Sequence, residues 1–423
     1  MSSTINAATS GGLISTGDTS GQLQLQTAGT TALSISSGQV VTLTNALPIA
    51  SGGTGSTTLA GANIATTNSS TQSINSANTF GFKNRIINGG MTISQRGTSF
   101  NPATNGLGLD RWTIRSSPSA SAFSITQSTS APTGFLNSQL ITSLGATTVG
   151  SGDYYTIDQR IETANAYDFA WGTASPKTVT LSFWVYSSLT GTFAGGLTEY
   201  NSGSVSYGFN YSIPTANTWT QISVTISGPT TGTWNTTLNG GYVTVTFGLG
   251  VGSSVATPSN NSWVSGNYKT GNGGVNVVST SGATFYITGV QLEVGTQATS
   301  FDFRDYGREL ILCQRYFQSM TLGNGGGGTY GPVGFARNNV TICCPQFLYY
   351  TPMRTAPTVS ITNNSAQVMI QDGSTVSPSS IGSSIISAYG FSYEVAMGSG
   401  VLTNGRAYGW YGGSIVYNSS AEL

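Results

Sequence analysis

The sequence predicts an all-β protein: a jelly-roll-like antiparallel β-sandwich body, with an N-terminal trimeric β-rich arm, one short connecting helix and a small C-terminal β-domain. Three observations carry that expectation. Runs in which apolar residues alternate with Ser, Thr and Gly recur from the N-terminus onward. Gly, at 57 residues, is nearly double ordinary usage, and helix-forming residues are sparse. The 423 residues still include seven Trp, twenty Tyr and seventeen Phe within 38% hydrophobic content, which is enough to build real cores.

Charge narrows the function classes. Only 7% of the residues are charged, with 14 basic against 14 acidic. Phosphate recognition needs clustered Lys and Arg, so neither nucleic acid nor an anionic membrane is an expected partner. The chain has no histidine, which removes Ser-His and Cys-His nucleophile systems and His-based metal sites. No cofactor or metal is expected; calcium held by Asp and Asn oxygens stays open, although no EF-hand-like loop occurs. Cys313 stands alone and Cys343 and Cys344 are adjacent, a spacing unsuited to a disulfide or a zinc site, so all three read as thiols in apolar surroundings. Met1–Thr9 has no basic or apolar leader pattern, and no run of eighteen apolar residues occurs. The expectation is a protein made in a bacterial cytoplasm, without a signal peptide or membrane insertion, and released within an assembled particle.

Along the chain, the first eighty residues hold one charged side chain, Asp18. Gly21–Thr27 alternates strictly, and Ala32–Ser36 and Val40–Leu43 follow, with Gly29 and Gly38 as turn residues. One copy could not cover so thin an apolar set, whereas three copies around an axis could, so residues 1–50 read as a trimeric attachment arm. Residues 51–81, rich in Gly, Ser and Thr, read as linker or shaft. The body, 82–304, contains long period-2 runs at Thr178–Val185, Trp219–Ile226, Gly241–Phe247 and Ala283–Leu292. Trp112, Trp184 and Trp219 read as core. A helix is expected over 305–318, capped by Asp305, with Leu310, Cys313, Gln314 and Phe317 at helical spacing. Six charges gather between Asp302 and Arg315, and Asp302, Arg304, Asp305, Arg308, Glu309 and Arg315 are a candidate structural ion-pair cluster, unless they form a solvated face. After a glycine-rich hinge at Gly323–Gly328, residues 319–423 read as a C-terminal β tip.

Ordered motifs mark the body: Asn84-Arg85-Ile86-Ile87-Asn88-Gly89-Gly90-Met91, Leu109-Asp110-Arg111-Trp112, Gln159-Arg160-Ile161-Glu162, Ser182-Phe183-Trp184-Val185, Tyr286 to Glu293, and Cys313-Gln314-Arg315-Tyr316-Phe317. In this series residues 82–318 resemble the recurrent block of bacteriophage tail fibre proteins, common in phages of cyanobacteria and other aquatic bacteria. The resemblance implies a virion-attached homotrimer used in host recognition, bound to a phage tail or adaptor protein through residues 1–50. It does not extend over the last hundred residues.

Two kinds of site are weighed on the residues themselves. Tyr389, Phe391 and Tyr393 alternate with Gly390, Ser392 and Glu394, and Tyr408, Trp410 and Tyr411 stand among glycines beside Arg406. Tyr393, Arg406, Tyr408, Trp410 and Tyr411 are therefore candidates for binding host surface polysaccharide or lipopolysaccharide, by ring stacking and one orienting cation; an aromatic core is the other use. Arg85, Asp110, Arg111, Arg160 and Glu162 read as an internal ion-pair cluster. Sugar cleavage would need two carboxylates about 5–9 Å apart, and Asp153, Asp158, Glu162 and Asp168 are near enough in sequence to keep a capsule depolymerase open. The main expectation is a non-enzymatic tail fibre; a capsid-decorating fibre or a structural adaptor would share its composition and strand patterning.

Overall fold

The computed structural model describes residues 3–8, 12–16, 20–43 and 83–423, except 102, 104, 107, 119–121, 201–202, 204, 323–333, 345, 365, 370–373, 399 and 412. The expected linker at 51–81 and the hinge at Gly323–Gly328 lie outside the described residues.

The chain divides into two compact units, 1–79 and 80–423. The first holds a five-stranded sheet in the order Gly12–Thr16, Ser3–Ala8, Leu23–Thr27, Thr30–Ile35, Val41–Leu43. Ala28 and Gly29 make its tight hairpin with φ of 50° and 80°, which is where the sequence needs a glycine. Leu25 and Val41 stay exposed, as one thin layer of strands requires.

The second unit is built on a jelly-roll type β-sandwich of two six-stranded antiparallel sheets. The first sheet runs Trp263–Ser265, Val205–Ile213, Gly191–Glu199, Gly241–Val251, Tyr154–Glu162, Thr113–Ser117. The second runs Thr220–Ile226, Val179–Ser187, Thr284–Val294, Ser138–Ser143, Phe123–Ser128, Ser99–Phe100. Their facing sides interdigitate through alternate residues, as in Ile157, Gln159 and Ile161 on one strand and Val243, Val245, Phe247 and Leu249 on its neighbour. Phe183 sits at the centre, with ring centroids 4.9 Å from Phe247 and 5.1 Å from Tyr211. Trp112 is buried as expected, but Trp184 and Trp219 are not inner-face residues. Phe183 and Val185 take the inward positions, so Trp184 points outward, half-buried beside Gly289. Trp219 packs outside with Tyr186 and Tyr286 at 5.5 and 6.1 Å.

The first of the body's motifs is a set of pins. The Asn84 side chain donates to the Val290 carbonyl and accepts from the Ile86 and Leu292 amides, fastening the segment from Lys83 along the Thr284–Val294 strand. A Cβ on Gly89 would lie 2.1 Å from the Val290 carbonyl oxygen, so the approach demands glycine. Asn88, at φ 58°, ties Ile93 and the Asp110 carbonyl together.

The helix is Tyr306–Gln314, with Asp305 Oδ1 accepting from the Arg308 amide at 2.9 Å, as the cap predicted. It ends earlier than expected, because Phe317–Leu322 is a strand paired with Ser414–Ser420. The C-terminal region thus begins inside the expected helix. Thr358–Asn364 completes that three-stranded sheet, and a second, larger sheet is built around Gly390–Ala396 and Ala407–Tyr411. This region shares one compact unit with the sandwich. Glu422 reaches back to Arg96 at 3.0 Å and to Arg111, and the Arg354 guanidinium donates to the Ala421, Glu422 and Asn239 carbonyls.

Candidate functional site

The expected aromatic site in the C-terminal region is overturned by burial. Tyr393 is fully buried, Tyr408 and Trp410 are each 5% exposed, and Tyr411 is half-buried. Trp410 Nε1 donates to Tyr393 Oη at 3.1 Å, and Phe347 stacks on Tyr393 at 5.4 Å. The physical reason lies in strand pairing. Ala407–Tyr411 is flanked by Gly334–Ala336 and Gln367–Met369, so neighbouring strands cover the rings that flanking glycines leave bare. Burial pushes the Tyr393 and Tyr417 hydroxyls well above their ordinary range, as befits core groups. Arg406 is exposed. Tyr389 is exposed.

The charge cluster is structural and draws on a wider set than its own segment. Arg304 bridges Glu309 at 3.2 Å and Asp302 at 3.9 Å, while Asp305 serves as the helix cap. Arg308 is exposed. Arg315 leaves the group to grip Glu162 at 2.6 Å, and the Tyr316 hydroxyl donates to the same carboxylate at 2.6 Å. The other expected cluster likewise finds outside partners: Arg85 pairs with Asp168 at 2.8 Å, Asp110 accepts from the Gln95 amide, and Arg111 lies 3.5 Å from the Tyr316 ring centre.

Three of the four carboxylates weighed for sugar cleavage are engaged by other groups of the fold. Asp158 and Glu162 share a strand face four residues apart, about 13 Å at strand rise. Glu162 is held by Arg315 and Tyr316, Asp153 accepts from the Gly150 amide, and Asp168 is paired with Arg85. Among the described residues no group of three or more Cys, Asp or Glu could hold a metal ion, and no helix is long and apolar enough to cross a membrane.

A different site emerges on the outer face of the first sheet. Alternation that sends Ile157 and Ile161 inward sends Asp158 and Arg160 outward, and the register places Asp158 beside Thr246 and Gly196, and Arg160 beside Thr244 and Thr198. Arg115 joins from the adjoining strand, with Glu199 and Tyr200 at the far strand's end. The wall is the segment carrying Asn267 and Lys269. It lies directly on the sheet because Gly196 has no side chain: a Cβ there would sit 2.4 Å from the Lys269 carbonyl oxygen. Thr198 Oγ1 fastens it by donating to the Tyr268 carbonyl at 2.8 Å. These residues enclose a cleft of about 270 Å³, adjoined by one of about 340 Å³ that shares Arg115 and Arg160 and adds Asn105, Thr113 and Tyr154.

The electrostatics of this cleft are incomplete. Asp158 is 2% exposed, and Arg115 approaches its Oδ2 only to 3.7 Å, while its buried Oδ1 has no hydrogen-bond partner. Buried Arg160 Nε also lacks one. Burial raises the Asp158 carboxyl above its ordinary value, with Arg115 opposing. Burial, reinforced by Arg115, lowers both Arg160 and Lys269. Aromatic rings back the two outer cations: Arg160 lies 5.0 Å from the Tyr200 ring centre and Lys269 Nζ 5.3 Å from that of Tyr154. Sequence reasoning singles out Asp158 and Arg160 but assigns them other roles, and it misses Arg115, Thr198, Glu199, Tyr200, Thr244, Thr246 and Lys269. Their signal is the outward half of each alternating strand.

No family model matches the chain, and no curated protein matches it in sequence. Among solved structures, it is similar to the enzymatically active domain of tailspike protein 4 of bacteriophage CBA120, at 14% identity and TM-score 0.26, over 46% of this chain and 22% of that one. The chain thus spans about a fifth of that tailspike structure. It is also similar to a family 11 carbohydrate-binding module of a cellulosomal cellulase from Clostridium thermocellum, at 15% identity and TM-score 0.24, over 46% of this chain and 94% of that one. A xylan-binding domain from Paenibacillus barcinonensis has 14% identity and TM-score 0.26, over 44% of this chain and 94% of that one. The sandwich architecture described above rests on the strand pairings themselves.

Proposed function

We propose that this protein is a non-enzymatic phage tail fibre subunit that attaches the virion to the host surface by binding glycans, and that the cleft on the first sheet's outer face is the contact. One observation carries the reading. A rigid sheet presents a carboxylate with a bare buried oxygen, threonine hydroxyls, an amide and three cations within one open cleft. That donor and acceptor set matches a hydroxyl-rich ligand, since sugars exchange hydrogen bonds with both kinds of group. The N-terminal strands fit the same reading as an arm completed by copies of itself, because Leu25 and Val41 remain exposed on their sheet. Trimerisation then adds avidity, which converts weak individual glycan contacts into durable attachment.

The test is adsorption of the purified full chain to cells of the strain the particle infects, before and after periodate oxidation of their surface sugars. The expected result is binding that periodate abolishes, with no reducing sugar released during incubation. Binding indifferent to periodate would overturn glycan attachment, and release of reducing ends would move the chain to the depolymerase class. Sedimentation of the same preparation is expected to show a trimer; a stable monomer at micromolar concentration counts against the fibre reading.

A further inference from the structure

Resting on the glycan reading, we propose that the cleft selects an acidic sugar, a hexuronate, whose carboxylate sits among Arg115, Arg160 and Lys269 while its ring hydroxyls donate to Asp158 Oδ1. The charges argue for it. Three cations, Arg115, Arg160 and Lys269, and two carboxylates, Asp158 and Glu199, line the cleft, and Arg160 Nη1 also donates to the Leu423 oxygen. The cations crowd one another, since Arg115 disfavours the charged form of both Arg160 and Lys269. Like charges held together on a half-buried sheet are relieved by an anion between them, and a neutral ring gives no such relief.

Asp158 separates an acidic sugar from a bare anion. Its buried Oδ1 is an acceptor without a donor, on a side chain that lines the same cleft as the cations. Inorganic phosphate meeting the cations would place its oxygens against that carboxylate. A uronate brings both halves: a carboxylate for the guanidinium and ammonium groups, and hydroxyls to donate to Asp158. The adjoining cleft of about 340 Å³, which shares Arg115 and Arg160 and is lined also by Glu422 and Leu423, extends the floor for the next residues of a chain.

The experiment is calorimetric titration of the full chain with oligomers of galacturonate, glucuronate and mannuronate, with the matching neutral oligomers, and with inorganic phosphate. At least one uronate oligomer is expected to bind ten-fold or more tightly than its neutral counterpart, and to weaken as salt rises. Lys269→Gln, on the wall rather than a strand, and Arg160→Gln should each weaken uronate binding by about ten-fold more than they weaken neutral binding. Asp158→Asn should weaken both classes. Equal affinity for acidic and neutral oligomers would overturn the acidic-sugar inference while leaving glycan binding standing. Phosphate competing as well as the uronates would also overturn it, revealing an anion site. No binding of any oligomer, by a chain whose adsorption to cells is periodate-sensitive, would overturn it by placing the glycan contact elsewhere.

Discussion

The two outer faces of the sandwich carry polar groups of similar burial and treat them differently. On the second sheet, fully buried Glu293 accepts from the Thr299 amide at 2.8 Å, the Thr299 hydroxyl at 2.7 Å and Gln291 Nε2 at 2.8 Å. Gln291 in turn accepts from the Asp302 amide at 2.8 Å, and Thr288 donates to the Asn137 carbonyl at 2.7 Å. The chain itself folds back over this face and closes it. On the first sheet, Asp158 is held almost as deeply and Arg160 is half-buried, yet Asp158 Oδ1 and Arg160 Nε lack partners. Buried polar groups without partners cost stability. One face has spent its polar groups on folding, and the other leaves two of them without a partner in the fold.

Substitutions that exchange these roles should therefore have opposite signs. The largest effect is expected on the closed face. Glu293→Ala removes the acceptor of three donors within a buried site, and denaturant unfolding should show a loss of about 3 kcal/mol. A loss below about 1 kcal/mol would mean that the face is not closed by these bonds.

On the open face Asp158→Asn should stabilise, by about 1 kcal/mol at neutral pH, because the ionised carboxylate is buried with one oxygen bare. The sign follows from linkage. The carboxyl is raised above its ordinary value of 3.8 in the folded state, so the folded chain holds its proton more tightly and loses stability as pH rises from that value through the raised one. The asparagine variant has no such group. Its advantage should be small near pH 4, grow as pH rises, and then level off. An advantage largest in acid would contradict the direction of the shift.

Much of this architecture is legible in the sequence because period-2 alternation reports directly on burial. The runs at Thr178–Val185 and Gly241–Phe247 correspond to the strands Val179–Ser187 and Gly241–Val251. Asp305 announces the helix start by its chemistry alone. Alternation separates inward from outward residues but is silent on which outward face another segment will cover. Trp184 reads as core in the sequence for that reason. The cleft escapes the sequence for the same reason: its wall is brought to the sheet by Gly196, and a glycine in a strand does not say what lies on it. The C-terminal rings fail in the opposite sense, because Tyr393 and Trp410 are covered by strands distant in sequence, which local glycine content cannot reveal. Asn84, Asn88 and Gly89, which stand out in the sequence as a motif, fasten segments together, whereas Arg160 of a second motif lines the cleft.

The smallest expected change is also the most selective. Thr246 lines the floor beside Asp158, and Thr246→Val keeps the shape of the strand residue while removing its hydroxyl. Valine suits a strand as well as threonine, and substitutions outside the core and its polar networks usually stay within about 0.5 kcal/mol, so the unfolding midpoint should barely move. Glycan affinity should fall by about five-fold, the worth of one hydrogen bond of about 1 kcal/mol. The equivalent change on the closed face, Thr288→Val, removes the donor to the Asn137 carbonyl and should show the reverse pattern, with a loss of about 1 kcal/mol in stability and unchanged glycan affinity. Two threonines of like chemistry would then answer to different assays, one to binding and the other to unfolding. If both respond only in unfolding, the first sheet's polar face is structural after all, and the glycan contact must be sought on another surface.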